Sequence, residues 1–413
     1  MAETLKGALI VGQSGGPSAV INASALGVIR TALNSECITN VYGANYGIDG
    51  VLNDRLMDMG KAGALELDKL MYSPSSALGS CRTKLPDPAS DDTKYRQILE
   101  VFKKHDVRYF CYIGGNDSMD TCNKISKFMK SAGYDCRVMG VPKTIDNDLF
   151  GTDHCPGYGS AAKYIATSII EVARDAAVYA KGAVTVFECM GRHAGWLTAA
   201  AKLANVNGHC LDLIYLPERD FELDGFIADV KSCFEKRGNC NIAVSEGVHY
   251  ADGSFITETK ASATDGFGHV QLGGLSAYLA EEIKNRLGYK TRGIEFSLMQ
   301  RCAAHLASGR DIDEAYMSGR AAVEAMLNGV TDKMVGLECS RYPYGGYDSH
   351  TVLLDLAKVA NYERKVPDEW INEAGNDVTD AFVDYALPLI QGEAPVCKRN
   401  GLPDYTNYSK VFV

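Results

Sequence analysis

No two of the thirteen cysteines stand in a C-x-x-C pair; the closest, Cys233 and Cys240, are seven residues apart. That absence argues against zinc ribbons and thioredoxin-type motifs. No apolar run approaches the ~18 residues of a membrane span. The opening residues, Met1 to Lys6, lack the basic stretch and apolar segment of a secretory signal. With an odd cysteine count, these absences set the expectation of a reducing cytoplasm. Most thiols lie inside apolar runs, such as Cys111 in YFCYI and Cys189 in TVFECM, as small buried side chains do. An excess of positive charge is missing too: 42 Lys+Arg face 52 Asp+Glu, a formal net charge of −10. Nucleic acid and anionic membranes call for the opposite balance, so neither is expected as a partner. Any anion site must be a local concentration of Arg and Lys. Internal repeats and low-complexity segments are absent as well. The 413 residues, 46% hydrophobic and 23% charged, are those of an ordinary globular chain of two to three domains.

What is present is an alternation of short apolar runs, glycine-rich loops and helical stretches. Ala8–Val11 reads as a buried strand, followed by the loop GQSGGP and a helix over Ser18–Leu33. Val107–Ile113 reads as a second strand, running into GGNDS at Gly114–Ser118, with a helix over Thr121–Lys130 behind it. Val138–Val141 is a third and leads into PKTIDND. Ala183–Glu188 is followed by MGRHAG and a helix through Ala204; Leu211–Leu216 and Asn241–Val244 are further strands. Strands alternating with helices predict an α/β fold with mostly parallel sheets. Ligands in such sheets bind beyond the carboxyl ends of the strands. Every Gly-, Asp- or Arg-rich segment falls at such an end.

Each of these segments has a chemical and a plain reading. Gly15 and Gly16 lie between a strand and a helix, where backbone N–H groups bind anions. A tight turn would look the same, and neither G-x-x-x-x-G-K-[ST] nor G-x-G-x-x-G is matched. In GGNDS, Asn116 could offer an oxygen to Mg²⁺, while Asp117 or Ser118 could simply cap a helix. PKTIDND sets Lys143 three residues before Asp146, with Asp148 beyond it. Two carboxylates beside a lysine suit a base, a metal and a phosphate clamp, or a solvated loop. Arg192 suits bidentate phosphate binding, and the adjacent His193 reads as structural. Glu246 at a strand end could accept sugar hydroxyls. Arg292 and Arg301 bracket GIEFSLMQ.

Taken together, SGGP, GGNDS, PKTIDND, MGRHAG, the Glu246-Gly247 pair and the Arg292/Arg301 pair resemble the phosphofructokinase family, in its order and at similar separations, from Ala8 to about Phe382. The resemblance implies two Rossmann-like three-layer αβα domains with the active site in the cleft between them. Residues 1–145, completed by 301–413, would bind the phosphoryl donor, and 146–300 would bind fructose 6-phosphate. It implies Asp146 as the base that takes the proton of the sugar 1-hydroxyl, with Thr144, Ile145 and Asp148 around it. Met190, Gly191, Arg192 and Glu246 would hold the sugar phosphate, and Arg292 and Arg301 its 6-phosphate. Gly15, Gly16, Arg82 in GSCR, Gly115, Asn116 and Ser118 would face the donor, with Mg²⁺ at Asn116.

Two positions separate donors in this family. ATP users carry glycine where this chain has Asp117 and Lys143, so the resemblance favours pyrophosphate, with ATP as the alternative. A carboxylate at Asp117 would repel the α-phosphate of ATP. Lys143 would supply charge to the transferring and leaving phosphates. Three positions depart from the pattern. Asn116 stands where the metal-site residue is usually Asp. Leu298 replaces a His or Tyr between the two arginines. Ala183 aligns with an arginine that bacterial ATP enzymes contribute across a subunit interface, with Lys181 as a substitute. A homodimer or homotetramer is expected from the same resemblance.

Overall fold

A computed structural model describes residues 5–257, 272–342 and 346–413. The opening residues read above for a signal thus fall largely outside the described residues. Strand β1 (Gly7–Gln13) shows how the first unit is layered. Its odd positions Leu9 and Val11 pack with Tyr109, Met139 and the helices Ile21–Leu33 and Gly309–Leu327. Its even positions Ala8 and Ile10 pack with Phe110, Val138 and the helices Thr93–Lys104 and Asn116–Ser131. A strand turns successive side chains to opposite faces, so an apolar residue at every position needs a helical layer on each side.

The same reasoning extends the sheet through β2 (Ile38–Ala44), β3 (Leu56–Asp58), β4 (Val107–Gly114) and β5 (Arg137–Pro142). Strands β6 (Val184–Cys189), β7 (Leu213–Tyr215), β8 (Cys240–Ser245) and β9 (Thr291–Glu295) build a second sheet. The chain then returns to the first with β10 (Lys333–Tyr342) and β11 (Gly346–Asp355). The orders are β11-β10-β5-β4-β1-β2-β3 and β7-β8-β6-β9. The second sheet is parallel throughout, and the first is parallel except for its edge pairs β2–β3 and β10–β11. The second sheet is also covered on both faces: Phe187 and Cys189 face Tyr158, Ile165 and Trp196, while Val184 and Val186 face Phe226, Leu275 and Leu279. Both units are therefore three-layer αβα.

Several elements differ from the sequence reading. The first helix starts at Ile21, not Ser18, because the Ser18 hydroxyl accepts from the backbone N–H of Ile21 at 3.1 Å and holds the preceding turn out of helix. The helix after β4 starts earlier than Thr121, at Asn116, with Gly115 as its N-cap and no side chain capping it. Neither Asp117 nor Ser118 has the capping role open to it in the sequence. Beyond MGRHAG there is one α-turn, Trp196–Ala199, continued as 3₁₀ helix to Asn205. The strand expected over Leu211–Leu216 is confined to Leu213–Tyr215.

The C-terminal part does not all pack on the first unit. Val366, Ile371, Phe382, Tyr385 and Leu389 share a core with Phe187, Trp196 and Leu197 of the second. All thirteen cysteines are free thiols. Among the described residues no helix is long and apolar enough to cross a membrane.

Candidate active site

The carboxyl ends of β1, β4 and β5 in one sheet, and of β6 and β8 in the other, open onto a cleft of about 1,030 Å³. It draws together Gly15, Gly16, Arg82, Gly115, Asn116, Asp117, Ser118, Lys143, Thr144, Ile145, Asp146, Asp148, Met190, Gly191, Arg192, His193, Glu246, Leu298 and Arg301.

After β1, Gly15 takes a left-handed φ of 74° and its N–H donates to Cys81 O at 3.0 Å, tying the loop to the segment that carries Arg82. Gly16 is a close approach: a Cβ there would stand 2.9 Å from Arg301 Nη1 and 3.7 Å from Arg82 Nη2. Two guanidinium groups thus reach the donor-loop backbone because no side chain intervenes. Arg301 therefore stands closer to this loop than a role at the sugar 6-phosphate alone implies.

After β5, Lys143 is 5% exposed and its Nζ donates to Gly16 O at 2.7 Å. Burial draws its pKa down to about 8, against the pull of Asp146, and Arg82 and Arg301 push the same way as burial. Thr144 shapes the next turn: its Oγ1 accepts from Asp146 N at 3.1 Å and donates to Asp146 Oδ2 at 3.3 Å. PKTIDND is not a solvated loop, since Lys143, Thr144 and Asn147 are all buried. Asp148 has its pKa raised well above the carboxylate range by burial, with the Asp146 and Glu363 charges adding to it.

At the helix N-terminus after β4, Asn116 Nδ2 donates to Asp148 Oδ2 at 3.3 Å. Its Oδ1 is buried and finds no partner among the described residues. Asp117 Oδ1 lies 3.6 Å from Lys84 Nζ.

On the facing side Gly191 has φ 134°, and a Cβ there would meet Ala194 O at 2.6 Å, so only glycine makes this turn. Its N–H donates to Glu246 Oε1 at 3.3 Å. Burial, with Asp146 adding to it, raises the Glu246 pKa to about 7. Gln300 Oε1 accepts from Met190 N at 3.1 Å.

Arg292 is the exception. It sits at the amino end of β9, opposite Thr185, and pairs with Asp175 at 3.2 Å on the outer surface. The cleft lies at the other end of that strand, where Glu295 lines it, roughly 10 Å away at ~3.3 Å per residue. Ala183 and the exposed Lys181 share this amino end. The sequence reading missed Gln300, Asn361 and Glu363, which also line the cleft. The latter two come from a polar stretch after β11 with no strand-end signal of its own.

Two αβα units around a cleft that brings Arg, Lys and carboxylates to converging strand ends define an enzyme of the phosphoryl-transfer class. The family model for phosphofructokinase matches residues 8–326, and the chain belongs to that family. It is 44% identical over 411 residues to the pyrophosphate–fructose 6-phosphate 1-phosphotransferase of Xanthomonas campestris pv. campestris, covering 98% of this chain and 97% of that one. The protein of that name from Methylococcus capsulatus is 42% identical, with 97% and 96% covered. The crystal structure of a pyrophosphate-dependent phosphofructokinase from Nitrosospira multiformis superposes with a TM-score of 0.90 at 40% identity, covering 98% and 97%.

Proposed function

We propose that this enzyme transfers a phosphoryl group from pyrophosphate to the 1-hydroxyl of fructose 6-phosphate, giving fructose 1,6-bisphosphate and phosphate. The observation that carries the choice of donor is the buried Lys143, whose ammonium bonds the donor loop, together with Asp117 at the helix N-terminus across the same cleft. The lysine concentrates positive charge on a small donor, and the carboxylate occupies the ground an α-phosphate would need.

Arg82, Lys143 and the Gly15–Gly16 backbone hold pyrophosphate, with Arg301 beside them at Gly16. Arg192, Met190 and Gly191 hold the sugar phosphate, and Glu246 accepts a sugar hydroxyl. Asp146 takes the proton from the 1-hydroxyl as the new O–P bond forms and the bridging P–O bond of pyrophosphate breaks. Mg²⁺ fits the residues present: the orphaned Oδ1 of Asn116 and the buried carboxylate of Asp148 beside it would hold it. When bound it would neutralise charge on the transferring phosphates. A cytoplasmic homodimer or homotetramer is part of this reading. In it Arg292, on the outer surface of its own chain, would serve a phosphate in the cleft of a neighbouring copy.

The test is an initial-rate assay with fructose 6-phosphate and Mg²⁺, comparing pyrophosphate with ATP. Turnover with pyrophosphate and little with ATP is expected. A preference for ATP would overturn the donor assignment.

A further inference from the structure

Beyond the family-matched residues 8–326, Arg364 touches no part of the cleft surface. Its guanidinium donates to the back of the loop that carries Asp146 and to Tyr385. Nε and Nη2 donate to Asn147 O at 3.3 and 3.1 Å. Nη1 donates to Thr152 O at 3.2 Å and to Asp153 O. Nη2 also donates to the Tyr385 hydroxyl at 3.1 Å. An arginine has five N–H donors in a fixed fork, and here there is an acceptor for each. The backbone N–H of Arg364 adds a bond to Asp148 O at 2.8 Å.

Asn147, between the two carboxylates, is a fully buried non-glycine residue with φ 55°. Such a conformation persists only where its surroundings over-determine it. The surroundings are Arg364 on its carbonyl, Tyr385 Oη accepting from its Nδ2 at 2.8 Å, and Cys155 N donating to its Oδ1 at 2.9 Å.

The same segment reaches the sugar-phosphate side. The Arg364 guanidinium stacks 4.3 Å from the Trp196 ring centroid, and Trp196 Nε1 donates to Arg364 O at 2.9 Å. Two residues on, Val366 N donates to Glu218 Oε1 at 3.0 Å, and that oxygen also accepts from Gly195 N at 2.8 Å. Gly195 closes the MGRHAG loop.

We infer that Arg364 is a positioning residue for catalysis: it sets the orientation of Asp146 by locking Asn147, and ties that loop to the one carrying Arg192. The inference rests on Asp146 being the base, and on neither donor in particular. Lysine cannot replace it, having three donors on a point charge and no planar fork.

The test is a double-mutant cycle of Arg364→Lys with Asp146→Asn, assayed with whichever donor the wild type uses. Arg364→Lys alone should lower kcat by about 10–100-fold, the scale expected of a displacement near 1 Å at the reacting group. KM for fructose 6-phosphate should stay within about threefold, as expected when binding groups are untouched and only the chemical step suffers. In the Asp146→Asn background the same change should have almost no further effect, since residues acting as a unit are not additive. If Arg364→Lys does not fold, Tyr385→Phe, which removes one anchor of Asn147 and keeps the ring, enters the same cycle. An additive cycle, or a variant with lowered thermal stability and unchanged kcat, reduces Arg364 to a structural residue. A wild type inactive with both donors, or Asp146→Asn with unaltered kcat, overturns the base reading itself and Arg364's role with it.

Discussion

In the proposed reaction Asp146 is the base, and Thr144 holds it by both its backbone and its carboxylate. Asp146→Asn keeps that shape and removes the basicity, so kcat should fall by about 10²–10⁴-fold with KM for fructose 6-phosphate little changed. Steady-state kinetics retaining a third of the wild-type kcat would be incompatible with this role. Lys143 adds a pH dependence. Its pKa is drawn down to about 8, so it is charged below that pH and neutral above it. The kcat/KM for pyrophosphate, which reports the free enzyme, should decline as pH rises through about 8. Lys143→Arg, charged throughout, should lose that alkaline limb; a limb unchanged in the variant would assign it to another group. Asp117→Gly should make turnover with ATP detectable by removing a carboxylate from the donor site. If ATP stays inert in that variant, Asp117 is not what excludes it. These residues were legible because PKTIDND and GGNDS are short, contiguous and dense in chemistry. Lys143 burial was not, because the Gly16 carbonyl that accepts its hydrogen bond is distant in sequence.

Among the elements, the glycine loop after β1 makes its own prediction. The added methyl of Gly16→Ala would meet the far end of the Arg301 side chain, not the backbone. The fold can yield there, so the melting temperature should be nearly unchanged. Arg301 and Arg82 would be displaced from the loop, at a cost of the order of one charge-assisted hydrogen bond, roughly 1.5–3 kcal/mol or 10–150-fold in kcat/KM. A loss of stability without loss of activity would contradict this account. Strands such as Val107–Ile113 were readable because burial on both faces leaves an apolar run, broken there only by Arg108. Strand β9 was not, since TRGIE is half-exposed at the sheet edge. Nor were β10 and β11: exposed and half-buried residues fill β11 at the sheet edge and alternate in the second half of β10, which pairs with it. The helix after β4 began five residues before its first expected position because Asn116 and Asp117 read as loop residues. A helix start needs no apolar residue when its first turn faces a ligand cleft.

For the molecule as a whole, Arg292 offers a test of the proposed assembly. If it binds the 6-phosphate in a partner's cleft, Arg292→Ala and Asp146→Asn damage different parts of a shared site. Co-assembled chains carrying one change each should recover activity that neither variant has alone, because some sites then contain both intact residues. Co-expression followed by an activity assay checks this; no recovery would confine Arg292 to its surface pair with Asp175. The α/β class followed from the alternation of strands and helices, and the two-unit plan with its cleft from family resemblance. The path of residues 366–390 onto the second unit did not, since its apolar contacts through Phe382 and Tyr385 are with residues far back in the chain.

The second sheet is inserted between β5 and its neighbour β10. A ribosome emitting ~5–20 residues per second therefore delivers all of β6–β9 before the first sheet can close. The loop carrying Asp146 leaves the exit tunnel early, yet Arg364 and Tyr385 follow only after β11. A nascent chain can thus collect its phosphate-binding loops while its base still lacks an anchor. Chains arrested before Tyr385 should show no transferase activity, and a single extension past it should switch activity on; graded activity in shorter chains would contradict this. Unfinished copies would then hold pyrophosphate and sugar phosphate without consuming either.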